Sequence, residues 1–306
     1  MAFSRQAVTD AVGDGLLSFP VTDFDALGNF DAASYRARIE WLLEYEISTL
    51  FVAGGTGEFF NLSLDEFKEI VTIAVAATNG KVPVIASAGM NAHLARQYAR
   101  IAEEAGADGI LLMPPYLTEC PQSGLFEYAK SVCDSTDINV IYYNRANGLM
   151  NAETVKALAD ACPNLIGFKD GKGDIQALNT IIKTVGDRLV YVGGVPTAEI
   201  FAEAYLSIGV NTYSSAVFNF VPEMAVSFYK ALRAGDSETV ARLTREFFIP
   251  FVQLRDTCPG YAVSLVKAGA SLVGHPGGNV RSPLIMPSED ETRVLKQLID
   301  GVENAS

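Results

Sequence analysis

Apolar residues in this chain fall into short unbroken runs, separated by longer stretches where apolar positions recur at helical spacing. In order the runs cover 15–19 (GLLSF), 49–53 (TLFVA), 82–87 (VPVIAS), 109–113 (GILLM), 138–143 (INVIYY), 165–169 (LIGFK), 189–193 (LVYVG) and 210–214 (VNTYS). Continuous rather than alternating hydrophobicity is what a parallel strand needs when both its faces are covered. The stretches between read as amphipathic helices. Over 31–45, Tyr35, Ile39, Leu42 and Leu43 share one face, with Arg36, Arg38 and Glu40 expected to turn away. Ser63 followed by Glu66 is a capping box, and 91–105 ends at Gly106, a residue suited to the left-handed conformation past a helix end.

Eight strand–helix alternations predict an α/β fold, a (β/α)8 TIM barrel over residues 1–235. A doubly wound sheet would carry a phosphate fingerprint after an early strand, and the first run leads instead into FPVTDFD. Beyond about residue 236 only helical patterns remain, over 237–254, 262–273 and 289–302, predicting an all-helical extension packed on the barrel. The stretch 204–222 lacks charges but holds Ser, Asn, Thr and Tyr, and reads as a buried strand and loop rather than a membrane span.

Charge and composition narrow the function. The 306 residues carry a formal charge of −13, which argues against nucleic acid or an anionic membrane as partner. An anionic substrate would need locally placed cations. MAFSRQAVTD has no secretory pattern, and four cysteines without a CxxC pair suit reduced thiols in the cytoplasm. With only His93 and His275, neither having a ligand-spaced partner, a His-rich metal site is excluded, and no GxSxG elbow is present.

Catalytic groups of a TIM barrel lie at the C-terminal ends of its strands. Of ten lysines, Lys169 alone ends an apolar strand. Burial there would favour the neutral amine, which can attack a carbonyl and form a Schiff base; the alternative is an internal ion pair, for example with Asp170. The fifth strand ends Tyr142-Tyr143-Asn144-Arg145. Alternation sends one tyrosine inward, where its phenol could move protons, and one toward the helices. Arg145 suits a carboxylate or a surface ion pair. Gly54-Gly55-Thr56-Gly57-Glu58 could offer amides and a hydroxyl to an anion at a following helix start. Gly193, beside Gly194, would allow close backbone approach, and Ser214 and Ser215 would bring hydroxyls to the rim.

Together, GGTGE on strand two, Tyr143-Asn144 on strand five and Gly167-Phe168-Lys169-Asp170 on strand six resemble the dihydrodipicolinate synthase / N-acetylneuraminate lyase superfamily over nearly the whole chain. Arg281-Ser282-Pro283-Leu284 resembles the loop before its last helix. The resemblance implies Lys169 as the Schiff-base lysine, Tyr143 as the catalytic tyrosine, and a homotetramer built from dimers. Gly55 and Leu117 stand where the synthases have a hydroxyl residue and a second tyrosine. AGGTGEFF, GFKDGKGD and TYSSAVFNF are instead similar to the branch that dehydrates and decarboxylates sugar diacids. That branch implies conversion of a 2-keto-3-deoxy sugar diacid to 2,5-dioxopentanoate. Gly55 and Thr56 would hold the carboxylate nearest the imine, with Arg145, Gly193, Ser214 and Ser215 as further substrate contacts. No cofactor is expected, because the imine is the electron sink. Alternative readings are a pyruvate-dependent aldolase or synthase on the same lysine, and a barrel that binds a keto acid without turnover.

Overall fold

Each apolar run becomes a parallel strand: β1 (Leu17–Ser18), β2 (Thr49–Phe51), β3 (Val84–Ala88), β4 (Gly109–Leu112), β5 (Asn139–Asn144), β6 (Leu165–Asp170), β7 (Val190–Gly193) and β8 (Thr212–Ser215). They close into a barrel in chain order, β8 pairing with β1. This is a computed structural model, and it describes residues 3–303.

Helices α2 (Ala32–Leu42), α3 (Leu64–Thr78), α4 (Ala92–Glu104), α5 (Gln122–Cys133), α6 (Ala152–Ala161), α7 (Ile175–Val185), α8 (Ala202–Ser207) and α9 (Pro222–Ala234) alternate with the strands. The Ser63–Glu66 capping box starts α3 as its sequence predicts, with both reciprocal bonds made. No described helix is long and apolar enough to cross a membrane.

Two elements depart from the sequence reading. Helix α1 (Arg5–Gly13) precedes the first strand, capped by Ser4, and packs Val8 and Val12 beneath the barrel. Its apolar stripe is two residues long, too short for periodicity to reveal. Arg38 does not turn away on α2. Its Nε and Nη2 donate to the Asp23 carboxylate at 2.7 and 2.9 Å, and Nη2 also donates to the His275 carbonyl. The bidentate fork neutralises both charges and satisfies the carboxylate, so the pair can be buried. A helical wheel reports residue type, and the partner came from the loop after β1.

The C-terminal segment runs α10 (Ser237–Leu243), a π-helical turn (Thr244–Phe248), α11 (Ile249–Arg255), α12 (Tyr261–Leu272) and α13 (Glu289–Glu303). The π turn lies just before Pro250, which has no N–H to donate and crowds the preceding turn. Gly269 lets α12 lie on Phe220; a Cβ there would sit 2.6 Å from the ring.

A buried ion pair ties α12 to the barrel. Lys267 Nζ lies 2.9 Å from Glu58 Oε1, with both side chains fully covered. Nζ also donates to the Asn279 carbonyl and stands over the Phe24 ring. Removing one partner leaves an uncompensated buried charge. Lys267→Met is therefore expected to lose about 3–5 kcal/mol of stability in denaturant unfolding. The double variant Lys267→Met/Glu58→Gln should recover much of it, since no bare carboxylate then stays buried.

Candidate active site

The C-terminal ends of the strands open into a cavity of about 340 Å³. Phe19, Tyr143 and Lys169 line its base, and Gly55, Thr56, Met113, Tyr116, Arg145, Gly194, Thr197 and Ser214 its walls. Residues of the C-terminal segment, among them Phe251, Arg255, Val263, Val266 and Leu284, complete the enclosure.

Lys169 sits opposite Tyr143 in the β5–β6 register. Its side chain is buried, with Nζ 4.1 Å from the Phe19 ring centroid and 4.4 Å from that of Tyr143. Phe19 is held flat by stacking on Phe51 at 4.5 Å. Burial, then the nearby Arg145 charge, pulls the lysine down from its usual range to about 7. The aromatic faces offer the cation some compensation but cannot replace water. Asp170 is turned the other way. It accepts from the Lys172 and Gly173 amides and from the Tyr205 hydroxyl. It anchors the loop after β6 rather than pairing with Lys169.

Strand alternation sorts the tyrosines. Tyr142 donates to the Gly148 carbonyl at 2.6 Å, on the helix side. Tyr143 faces the cavity, donates to the Gly194 carbonyl at 2.8 Å and accepts from Arg145 Nη1 at 3.1 Å. Burial raises the Tyr143 phenol above its usual range, and Arg145 opposes the rise. Tyr116 stands against Phe60, and burial pushes its phenol up to about 12. So positioned, Tyr143 is neutral at ordinary pH and can pass its hydroxyl proton to a ligand oxygen while Arg145 stabilises the phenolate left behind.

The Gly55 and Thr56 amides have no protein acceptor among the described residues, and both residues line the cavity. The turn closes through Glu58 N–H to the Gly55 carbonyl and Phe59 N–H to the Gly54 carbonyl. A 3-10 turn (Phe59–Asn61) follows and α3 begins only at Leu64, so no helix N-terminus stands behind this loop, contrary to the sequence reading.

Two expected contacts fall outside. A Cβ on Gly193 would meet the Tyr205 ring at 2.6 Å, so this residue faces the helix layer; on Gly194 it would meet Lys169 Cε at 2.4 Å. The pleat thus gives the cavity to Gly194. Ser215 also points outward, donating to Glu199 Oε1 at 2.7 Å in a buried pair, whereas Ser214 lines the cavity. The missed lining residues include Phe19, Met113, Thr197, Arg255 and the apolar groups of α11 and α12. An arginine in the last turn of a helix is ordinary end chemistry, so local sequence carried no signal for its reach.

Among the described residues that line the cavity, none is Asp or Glu, while Lys169, Arg145 and Arg255 all are present. In a chain of charge −13 this is a local reversal of sign.

Barrel and cavity together place a desolvated amine at the C-terminal ends of the strands. The chain belongs to the dihydrodipicolinate synthetase family, whose model matches residues 13–301. It is 51% identical over 288 residues to the 5-dehydro-4-deoxyglucarate dehydratase of Pseudomonas putida, covering 94% of this chain and 95% of that one. A Rhizobium meliloti (strain 1021) protein named "Probable 5-dehydro-4-deoxyglucarate dehydratase" is 52% identical over 298 residues, covering 97% and 99%. The crystal structure of dihydrodipicolinate synthase from Oceanobacillus iheyensis superposes with a TM-score of 0.90, covering 99% of this chain and 100% of that one at 23% identity. At that identity the likeness concerns the fold alone.

Because burial lowers the amine to about 7, labelling of Lys169 by a small acylating reagent should rise with pH through an inflection near 7 and level off above it. Exposed lysines should keep rising toward their ordinary range of about 10.4. Arg145→Met removes one of the two causes of the depression and should move the Lys169 inflection upward. Competitive labelling read by mass spectrometry measures both.

Proposed function

We propose that this chain converts 5-dehydro-4-deoxyglucarate to 2,5-dioxopentanoate, releasing one water and one carbon dioxide through a Schiff base on Lys169. The observation that carries the reading is the desolvated lysine in a cavity whose ionisable lining is cationic and phenolic, with no carboxylate side chain. A dianion is accommodated there without like-charge repulsion. The identity to the Pseudomonas putida dehydratase supports the particular substrate.

The neutral amine adds to the keto carbon, and the carbinolamine loses its hydroxyl as water to give the imine. Tyr143 supplies and recovers the proton, with Arg145 holding its phenol. The imine acidifies the adjacent CH2; loss of that proton gives an enamine, which expels the hydroxide two carbons from the imine carbon, protonated as it leaves. The result is a conjugated imine. Cleavage of the distal carbon–carboxylate bond then sends its electron pair through the conjugated carbons to the imine nitrogen and releases carbon dioxide. Two protonations restore the imine and unmask the aldehyde. Water finally adds to the imine and returns the lysine, replacing the water lost in its formation. The free amides and hydroxyl at Gly55 and Thr56 are suited to the carboxylate nearest the imine, and Ser214 to a substrate hydroxyl. No cofactor is called for in this sequence. The reading includes a homo-oligomer, a tetramer of paired dimers as the family resemblance implies, and the cytoplasm, which four cysteines without a CxxC pair suit.

The test has two arms. Borohydride reduction with the diacid should leave an adduct on Lys169, and turnover should release carbon dioxide stoichiometrically; formation of pyruvate instead would establish an aldolase. Lys169→Ala should lose both adduct and turnover while keeping a cooperative unfolding transition.

A further inference from the structure

We infer that Arg255, together with Thr197, selects the far carboxylate of the substrate and is the specificity-determining residue of this site. The inference rests on the Schiff-base reading above.

Arg255 ends α11 and reaches across to the loop after β7. Its Nη1 donates to the Pro196 carbonyl and to Thr197 Oγ1, both at 2.8 Å, and its Nε to Asp256 Oδ1. Its Nη2 has no hydrogen-bond partner among the described residues, and the side chain lines the cavity. Asp256 is exposed on the rim, where solvent screens its charge. The guanidinium therefore keeps unspent donors and most of its charge toward a ligand.

Thr197 supplies an independent pointer. It is buried, lines the cavity and has φ 53° and ψ 59°. A β-branched residue in the left-handed region is a strained exception, and such strain collects at ligand sites. Its Oγ accepts from Arg255, which leaves the hydroxyl hydrogen to donate elsewhere. A fork of N–H groups beside one O–H donor is complementary to a carboxylate.

Placement separates this site from the reacting end. The charge of Arg145 is committed beside Tyr143 and Lys169. Round the closed barrel the loop after β7 lies beyond β8 and β1 from the Gly55–Thr56 turn. A chain held at that turn by one carboxylate and at Lys169 by its keto carbon thus runs toward Arg255 with its other end.

The experiment compares two keto acids on the full-length enzyme: 5-dehydro-4-deoxyglucarate, and the analogue with CH2OH in place of the far carboxylate. Borohydride trapping on Lys169 is measured against concentration. Wild type should trap the diacid at the lower concentration. In Arg255→Ala the half-saturating concentration of the diacid should rise about 10- to 100-fold, the worth of a charge-assisted hydrogen bond, with the alcohol analogue unchanged. Arg255→Lys, which keeps the charge but loses the fork, should fall between and serves if the alanine variant does not fold. An equal loss for both ligands would make Arg255 a loop anchor only and overturn the inference. So would an unaltered diacid preference in both variants. In either case a persisting Lys169 adduct leaves the Schiff-base reading standing. Absence of any adduct in wild type would sink that reading and this inference with it.

Discussion

The buried Glu58–Lys267 pair is the contact on which the geometry of the cavity depends. Glu58 closes the Gly-rich turn after β2 with a left-handed backbone, φ 57°. Its carboxylate takes Lys267 from α12, the Asn61 amide and the Arg281 backbone N–H. Either charge alone in that position would be costly; together, and with their remaining bonds made, they are tolerated. The pair thereby fixes the wall that carries Gly55 and Thr56 against the helix that contributes Val263 and Val266. Arg281 extends the same clamp through Glu66 and the Gly28 and Asn61 carbonyls. The C-terminal helices are thus part of the site's frame, because they exclude water above a lysine whose reactivity requires dryness.

Charge is divided in the same spirit. The surface carries the excess of acidic groups, and the described cavity lining carries none of them. Low dielectric strengthens what remains inside, so Arg145 acts on Lys169 and Tyr143 alike. One guanidinium lowers the amine and opposes the rise of the phenol. A net charge of −13 therefore says little about what the cavity admits.

How much was legible can be judged residue by residue. The barrel was readable because strands buried on both faces must be continuously apolar. Lys169 stood out because it alone among the lysines follows an unbroken apolar run, Leu165 to Phe168, at the end of a strand. Alternation by itself separates Tyr142 and Tyr143 only as one in, one out; the family resemblance implies Tyr143, and the β5–β6 register puts Tyr143 opposite Lys169. The pleat also explains the errors at Gly193 and Ser215. A one-residue uncertainty in where a strand ends exchanges the inner and outer faces. Arg38 was misjudged because its partner Asp23 lies 15 residues away in sequence.

By itself the sequence determined the order of the strands and of the helices after β1, the capping of α3 and the one lysine placed at a strand end. All of these follow from local periodicity and short-range bonds. Tertiary structure alone decided which small residue faces Lys169, which arginines enter the cavity and what roofs it. Gly194 is assigned by the contact its missing side chain permits, and Arg255 by a reach of 58 residues to Thr197. The physical reason is that desolvation and charge pairing depend on distances in space, which closure of the barrel sets and no local pattern encodes.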